Sequence, residues 1–177
     1  MGRFDVGGLK MARMYEKNAV VELNHVSAVR TGDIKAQYEL ETGLNEVEQG
    51  MLLVVDEVAK EVSLPVDGTE YVMLHASEER VYESHLGRKS FSLKKPNLPR
   101  MYKLAVGDIF ETNCVTTELA NPKVLGKKGV ATAEGLIRIV EEAFDTAAYA
   151  VVLDIVEFVT LPNETEGVKF VVAKATK

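Results

Sequence analysis

The chain carries three histidines and one cysteine, the side-chain types that most often bind zinc or act as nucleophiles. His25, His75 and His85 lie about 50 and 10 residues apart, without the His-x-His or His-Glu-x-x-His spacing that brings two ligands together on one element. A zinc site would therefore have to be assembled by folding alone. We expect the histidines to lie at the surface or in turns, and we expect no metal site.

Other catalytic patterns are absent from the sequence. Cys114 lies in an apolar strand, which is typical of a small buried side chain rather than a reactive thiol. No Gly-x-Ser-x-Gly sequence occurs, and Gly126–Gly129 lacks the spacing of a phosphate-binding loop and is predicted to be a turn. The carboxylate pairs Glu78–Glu79 and Glu141–Glu142 do not alternate with aromatic residues that would line a sugar subsite, and the chain has no tryptophan, so solvated charge is their expected role. These patterns predict a protein that is not an enzyme and needs no cofactor.

Net charge, apolar content and cysteine count limit the kinds of partner that the chain can bind. A net charge of −6 on 177 residues argues against general nucleic-acid binding, which needs a basic surface. No run of about 18 apolar residues occurs, which excludes a membrane-spanning helix. One cysteine cannot form an internal disulfide, so the chain fits a reducing compartment. We therefore expect neither a nucleic-acid partner nor a membrane partner.

The charges are unevenly distributed along the chain. Between Glu39 and Glu83 there are twelve acidic residues, opposed only by Lys60 and Arg80. The segment from Ser84 to Gly107 has no acidic residue and six basic ones. Clustered like charges give salt-sensitive attraction and orientation, so part of this segment is either a docking loop for an acidic partner surface or a solvated loop with no role. Its basic residues are Arg88, Lys89, Lys94, Lys95, Arg100 and Lys103.

The elements that must position these residues are short β-strands. Roughly nine or ten apolar or alternating segments are separated by turn residues every 8 to 15 residues or so, which predicts an all-β sandwich or barrel. Met51–Val55 is continuously apolar, as in a strand buried on both faces, whereas Ile34–Glu41 alternates, as in a half-buried strand. Gly43–Gly50 and Ser84–Pro99 are predicted to be loops, the second of them long and mostly irregular.

The segment Leu98–Asn113 joins the predicted loop Ser84–Pro99, hereafter the basic loop, to the β-strands that follow it. Pro99 permits a strand to begin only after it, and Val106–Asp108 is predicted to be a tight turn, because Gly107 can take a positive φ and Asp108 can bond to nearby backbone. A strand is then predicted over Ile109–Val115.

The amino-terminal residues differ from the rest. Residues 1–17 hold three glycines and several basic residues without a lasting period of 2 or 3.6, so we predict an arm, either ordered on a partner or simply frayed. Residues 18–177 are predicted to form a single β-rich domain.

Three stretches between residues 50 and 115 resemble structural proteins of tailed-bacteriophage heads. The first is the strand Gly50–Val55 with the proline-bounded hairpin after it, and the second is the strand Tyr71–Ser77 with its acidic turn. The third is Leu98-Pro99-Arg100-x-Tyr102-x-Leu104-x-Val106-Gly107-Asp108, leading to Phe110-x-Thr112-Asn113. Among these proteins the chain looks most like capsid decoration, or cement, proteins, which are small, β-rich and non-enzymatic. The resemblance implies synthesis in the host cytoplasm, incorporation into the virion, and no catalytic residues.

The expected partner is accordingly the lattice of the major capsid protein, with homo-oligomerisation adding avidity. Two alternatives remain open, namely another virion component, such as a neck or tail protein, and a small β-barrel enzyme acting on carbohydrate. The residues expected to contact the partner come from the arm and the basic loop: Arg3, Lys10, Arg13, Arg88, Lys89, Lys94, Lys95 and Arg100.

Overall fold

The computed structural model describes residues 12–15, 18–77, 91–162 and 164–177. Nearly all regular structure in these residues is β-strand, which confirms the predicted all-β class. In chain order the elements are β1 (Ala12–Arg13), β2 (Val21–His25), α1 (Ala28–Thr31), β3 (Ile34–Lys35), β4 (Glu39–Leu40), β5 (Glu46–Val47), β6 (Leu52–Asp56), β7 (Glu61–Ser63), β8 (Met73–His75), β9 (Leu93–Lys94), β10 (Met101–Tyr102), β11 (Ile109–Thr112), β12 (Val115–Thr117), β13 (Lys128–Ala131), β14 (Ile137–Val140), β15 (Val151–Thr160) and β16 (Glu166–Ala175).

Eight strands form a sheet in the order β1-β12-β14-β13-β15-β16-β11-β2. In that order β11 and β12 are five strand spacings apart, about 24 Å in a flat sheet. In the chain they are separated only by Asn113 and Cys114, and the three Cα steps from Thr112 to Val115 span at most about 11 Å. The sheet must therefore curl until these two strands approach each other, as in an open barrel.

A six-stranded sheet, ordered β3-β10-β8-β6-β7-β4, packs between two apolar clusters. Because side chains alternate along a strand, Leu52 and Leu74 join the cluster shared with the curled sheet, whereas Leu53 and Met73 join the second cluster. The expectation that Met51–Val55 is buried on both faces is confirmed by the complete burial of Leu52 and Leu53.

The tight turn predicted at Val106–Asp108 is confirmed. Gly107 has a φ of 92°, in the left-handed region. The carboxylate of buried Asp108 accepts hydrogen bonds from the backbone N–H of Ala105 and of Ser27, and a third from the Ser27 hydroxyl. These bonds fix the residue before α1 to the start of β11.

Two strands are shorter than predicted, because neighbouring parts of each predicted segment pair with different strands. Ile34–Glu41 is not one strand, because β3 pairs with β10 and β4 pairs with β7 at opposite edges of the six-stranded sheet. The strand predicted over Ile109–Val115 is interrupted after Thr112. There the Thr112 hydroxyl donates to the Val20 carbonyl oxygen, and the Asn113 carboxamide oxygen accepts from the Val20 N–H.

Three segments predicted as loops or turns contain strands. β5 and β9 pair with each other inside the predicted loops Gly43–Gly50 and Ser84–Pro99. Gly126 is a turn, with a φ of 87°, but Lys128 and Gly129 belong to β13. Within the predicted amino-terminal arm, Ala12 and Arg13 form β1 and pair with β12.

Candidate partner-binding surface

The described part of the basic segment begins with a two-stranded ribbon. Leu93 in β9 lies opposite Val47 in β5, and both side chains are buried in the second apolar cluster. The next residue, Lys94, projects to solvent opposite Glu46, with its Nζ 3.8 Å from the carboxylate. Alternation along a strand thus buries one residue and presents the neighbouring cation.

Lys95 is also exposed, and hydrogen bonds to two main-chain carbonyl oxygens fix its position. Its N–H donates to the carbonyl oxygen of Asn45, and its Nζ donates to the carbonyl oxygen of Glu41 at 2.7 Å. A turn follows in which the Asn97 N–H donates to the Lys94 carbonyl oxygen, across the cis peptide Lys95–Pro96. The ribbon therefore holds two lysines on a defined backbone.

Some of these cations lack a compensating carboxylate. Among the residues that the structure describes, no acidic group lies within ion-pair distance of Lys95, Arg100 or Lys103. Lys95 and Lys103 are exposed and Arg100 is half-buried. The predicted basic segment thus places uncompensated positive charge at the surface.

The other predicted contact residues have different positions. Arg3, Lys10, Arg88 and Lys89 lie outside the described residues. Arg13 makes an internal ion pair, in which its two terminal nitrogens donate to the two oxygens of Glu48 at 2.6 and 2.9 Å. Its charge is therefore used within the chain, and the structure does not bring it together with Lys94 and Lys95 as one exposed group.

Burial and hydrogen bonding act in opposite directions on this ion pair. Burial raises the pKa of Glu48, but the hydrogen bonds from Arg13 and from the Ala19 N–H outweigh it and hold that pKa below its usual value. Likewise, burial lowers the pKa of Arg13, and its hydrogen bond and charge interaction with Glu48 raise it above the usual value. The pair fastens β1 to the residues that follow β5.

A buried polar network joins the two chain segments that flank residues 78–90. Gln49 and Ser77 exchange two hydrogen bonds, since the Ser77 N–H donates to the Gln49 carboxamide oxygen and the Gln49 amide donates to the Ser77 carbonyl. The Arg100 N–H donates to the Ser77 hydroxyl oxygen, and the Ala76 N–H donates to the Arg100 carbonyl. Residues 76–77 and residue 100 are thereby held side by side.

His75 lies at the centre of this network. Its Nδ1 is 2.7 Å from the Glu48 carbonyl oxygen and must donate, so Nε2 accepts the proton of the Ser77 hydroxyl at 2.8 Å. The ring is fully buried, and burial lowers the pKa of His75 to about 4. A neutral imidazole makes both bonds, whereas a protonated one has no acceptor left for the Ser77 hydroxyl.

The expectation that the histidines lie at the surface or in turns is therefore wrong for His75, though His25 is exposed. His75 is in β8, where the apolar neighbours Met73 and Leu74 are also buried. The Ser77 hydroxyl also accepts a hydrogen bond from the Arg100 N–H, so the pair of His75 and Ser77 stabilises the backbone of the basic segment at Arg100. His85 lies outside the described residues.

The described residues offer neither a metal site nor a helix that could span a membrane. Within the described ranges, no three histidine, cysteine, aspartate or glutamate side chains are grouped as a metal ion would require. Cys114 is fully buried, as predicted, and burial raises the pKa of its thiol. No helix in the described part of the chain has the length and apolar character needed to cross a membrane.

Comparison with known protein families, with curated proteins and with solved structures finds no match to this chain. The function is therefore inferred from the chain's own residues.

Sequence reasoning missed the network of Gln49, His75 and Ser77. The sequence places Gln49 in a loop of no particular role, and the position of His75 in an apolar strand is the one local signal of burial. One hydrogen-bond partner of His75, the Glu48 carbonyl oxygen, lies 27 positions away in the sequence, and no local pattern reveals such a contact.

Proposed function

We propose that this chain is a non-enzymatic structural protein of a virion, which binds the capsid lattice as a decoration protein and reinforces it. The basic segment between Ser84 and Gly107 docks on an acidic region of the lattice. Homo-oligomerisation multiplies the weak individual contacts into a stable attachment.

The observation that carries the proposal is the fixed presentation of Lys94 and Lys95. Surface charges steer and orient a partner best when their backbone is already ordered, because little conformational entropy is then lost on binding. Leu93 anchors the ribbon in the second apolar cluster. Further along the basic segment, the network around His75 holds the backbone at Arg100. The resemblance to capsid decoration proteins supplies the identity of the partner.

Charge reversal tests the docking surface. The double variant Lys94→Glu/Lys95→Glu, mixed with shells assembled from the major capsid protein of the phage that encodes this chain, is expected to cosediment at least tenfold less than the wild type. Both side chains are exposed, so the fold outside the ribbon should persist, although the ion pair of Lys94 with Glu46 and the bond from Lys95 to the Glu41 carbonyl oxygen are lost. Binding of the wild type should also weaken as salt is raised, because exposed charges are screened.

The matched control is Arg30→Glu/Lys60→Glu, which changes the net charge equally at two exposed positions outside the basic segment. This variant should bind the shells like the wild type. Equal loss of binding in both variants would show that net charge alone governs attachment. Unchanged binding of the Lys94→Glu/Lys95→Glu variant would show that the basic segment does not contact the lattice.

A further inference from the structure

A second cationic site lies on the outer face of the curled sheet, away from the basic segment. Arg138 in β14 lies opposite Thr116 in β12 and Val130 in β13. Its neighbours Ile137 and Ile139 point into the core, so Arg138 points to the opposite face. There the connection between β14 and β15, residues 141–150, covers part of it.

Two aromatic residues of this connection contact the guanidinium. The Phe144 ring centroid is 5.3 Å from its central carbon, and one terminal nitrogen donates to the Tyr149 hydroxyl at 3.0 Å. The two rings also pack against each other, with centroids 6.0 Å apart. Arg138 is half-buried.

The positive charge of Arg138 has no anionic partner among the residues that the structure describes. Among the described residues, no carboxylate lies within ion-pair distance of it, and its buried Nε has no hydrogen-bond acceptor. Two of the three acids of the same connection are engaged elsewhere, since Glu141 pairs with Lys127 and Asp145 accepts from the Ala147 N–H, and the third, Glu142, is exposed. A half-buried guanidinium without an anion is screened by water less than an exposed one, and it attracts an anion.

The connection is held in place around this charge. Lys174 donates to the carbonyl oxygen of Ala147, and the Ala150 N–H donates to the carbonyl oxygen of Thr69. Both tethers lie within three residues of Tyr149 in the sequence. The aromatic walls of the site are thus formed before any ligand arrives, which lowers the entropic cost of binding.

We propose that Arg138, Phe144 and Tyr149 form a binding site for a single carboxylate group. One planar guanidinium matches the charge and fork geometry of one carboxylate, and the flanking rings shield the contact from water. A phosphate dianion carries more charge than one guanidinium compensates, and the exposed acids Glu142 and Asp145 on the same connection repel it more strongly than they repel a singly charged carboxylate. The carboxylate belongs either to a small free acid or to an acidic side chain of a protein.

Titrations of the full chain followed by NMR test the site. Acetyl-glutamate amide, which carries only the side-chain carboxylate, is expected to shift the Arg138 Nε–H signal and the backbone signals of residues 138, 144 and 149 in a saturable way. Acetyl-glutamine amide, its uncharged counterpart, should not. Propionate and a short polyglutamate peptide distinguish the sources: a preference for the peptide indicates a protein side chain, and equal affinity per carboxylate indicates a small acid.

Variants assign the binding to Arg138. Arg138→Gln should abolish it, and Arg138→Lys, which keeps the charge and the methylene stem, should weaken it at least tenfold by removing the planar fork. Arg30→Gln, which removes an exposed arginine from α1, should change the affinity less than twofold. No saturable shift with any carboxylate up to about 50 mM, well above the millimolar Kd of a weak contact, would overturn the proposal. So would equal affinity in the folded Arg138→Lys variant.

Discussion

Because the His75 ring is buried and makes both of its hydrogen bonds in the neutral form, folding and protonation of this residue oppose each other. Its pKa is about 4 in the folded chain, below the ordinary value of 6.5. As the pH falls from about 6.5, the unfolded chain takes up a proton that the folded chain does not, until the pH reaches about 4. Stability is therefore lost across this window and is fully present above it.

The expected loss attributable to His75 is about 3 kcal/mol between pH 7 and pH 4. Urea unfolding of the wild type and of His75→Gln at several pH values measures it as the difference between the two pH profiles. The variant should be about 1–3 kcal/mol less stable at pH 7, because it leaves buried polar groups unpaired, and its profile should be flatter. Parallel profiles would show that His75 is not the group that titrates.

Glu48 provides a second prediction at the scale of one residue. Replacing it with Gln leaves the half-buried Arg13 without its charge partner and should lower the free energy of unfolding by about 2 kcal/mol at pH 7. The depressed pKa of Glu48 means that its contribution is present above about pH 4.5 and is lost as the pH falls through its folded value. The difference between variant and wild type should therefore shrink in acid.

The matched control is Glu46→Gln, which removes an exposed ion pair with Lys94 at 3.8 Å. Exposed pairs contribute little, so a change below about 0.5 kcal/mol is expected. If urea unfolding gave the same loss for both glutamates, the bidentate contact between Arg13 and Glu48 would have no special role.

Individual residues were predictable where their own chemistry decided their position. Burial of Cys114 and the turn at Gly107 follow from side-chain type and local sequence, and both are confirmed. The sequence instead predicts a partner contact for Arg13, because neither its ion pair with Glu48 nor the position of β1 follows from local sequence. A polar side chain buried by long-range contacts has no local signature.

At the scale of elements, Gly50 fixes how the connection between β5 and β6 meets the end of β11. Its φ is 79°, and a Cβ on this residue would lie 2.2 Å from the Thr112 hydroxyl oxygen. Thr112 cannot move away easily, because its hydroxyl bonds Val20 and the Cys114 N–H. Gly50→Ala should therefore destabilise the chain by about 3 kcal/mol or more.

Gly107→Ala is the matched comparison, since Gly107 also has a positive φ but a Cβ added to it would meet no atom within 4 Å. Only the backbone penalty applies there, about 1 kcal/mol. Thermal or urea unfolding of the two variants measures the difference. Equal losses would mean that the contact with Thr112 is not tight.

Strands were predictable where an apolar run was strong, as in β6. The ribbon of β5 and β9 was not, because each strand has two residues and the pairing joins segments more than 40 residues apart. Sheet order was equally hidden. The curl of the eight-stranded sheet follows from the position of β11 and β12 in that order, which depends on pairing rather than on local sequence.

At the scale of the whole molecule, oligomerisation of the chain remains a prediction. Avidity on a repeating lattice requires copies arranged with a matching symmetry. Light scattering of the purified protein is expected to give a mass that is a small multiple of 19.5 kDa. A strictly monomeric mass across the micromolar range would show that avidity does not contribute to binding. Large rings in electron micrographs would instead favour a neck or tail component.

We propose that the chain binds a capsid lattice and reinforces it. The most direct measurement is calorimetry of assembled shells with and without saturating amounts of the protein. A ligand that binds only the intact lattice stabilises it by mass action, so the account predicts a disruption temperature several degrees higher in the saturated shells. Shells that disrupt at the same temperature with and without the protein would contradict the account.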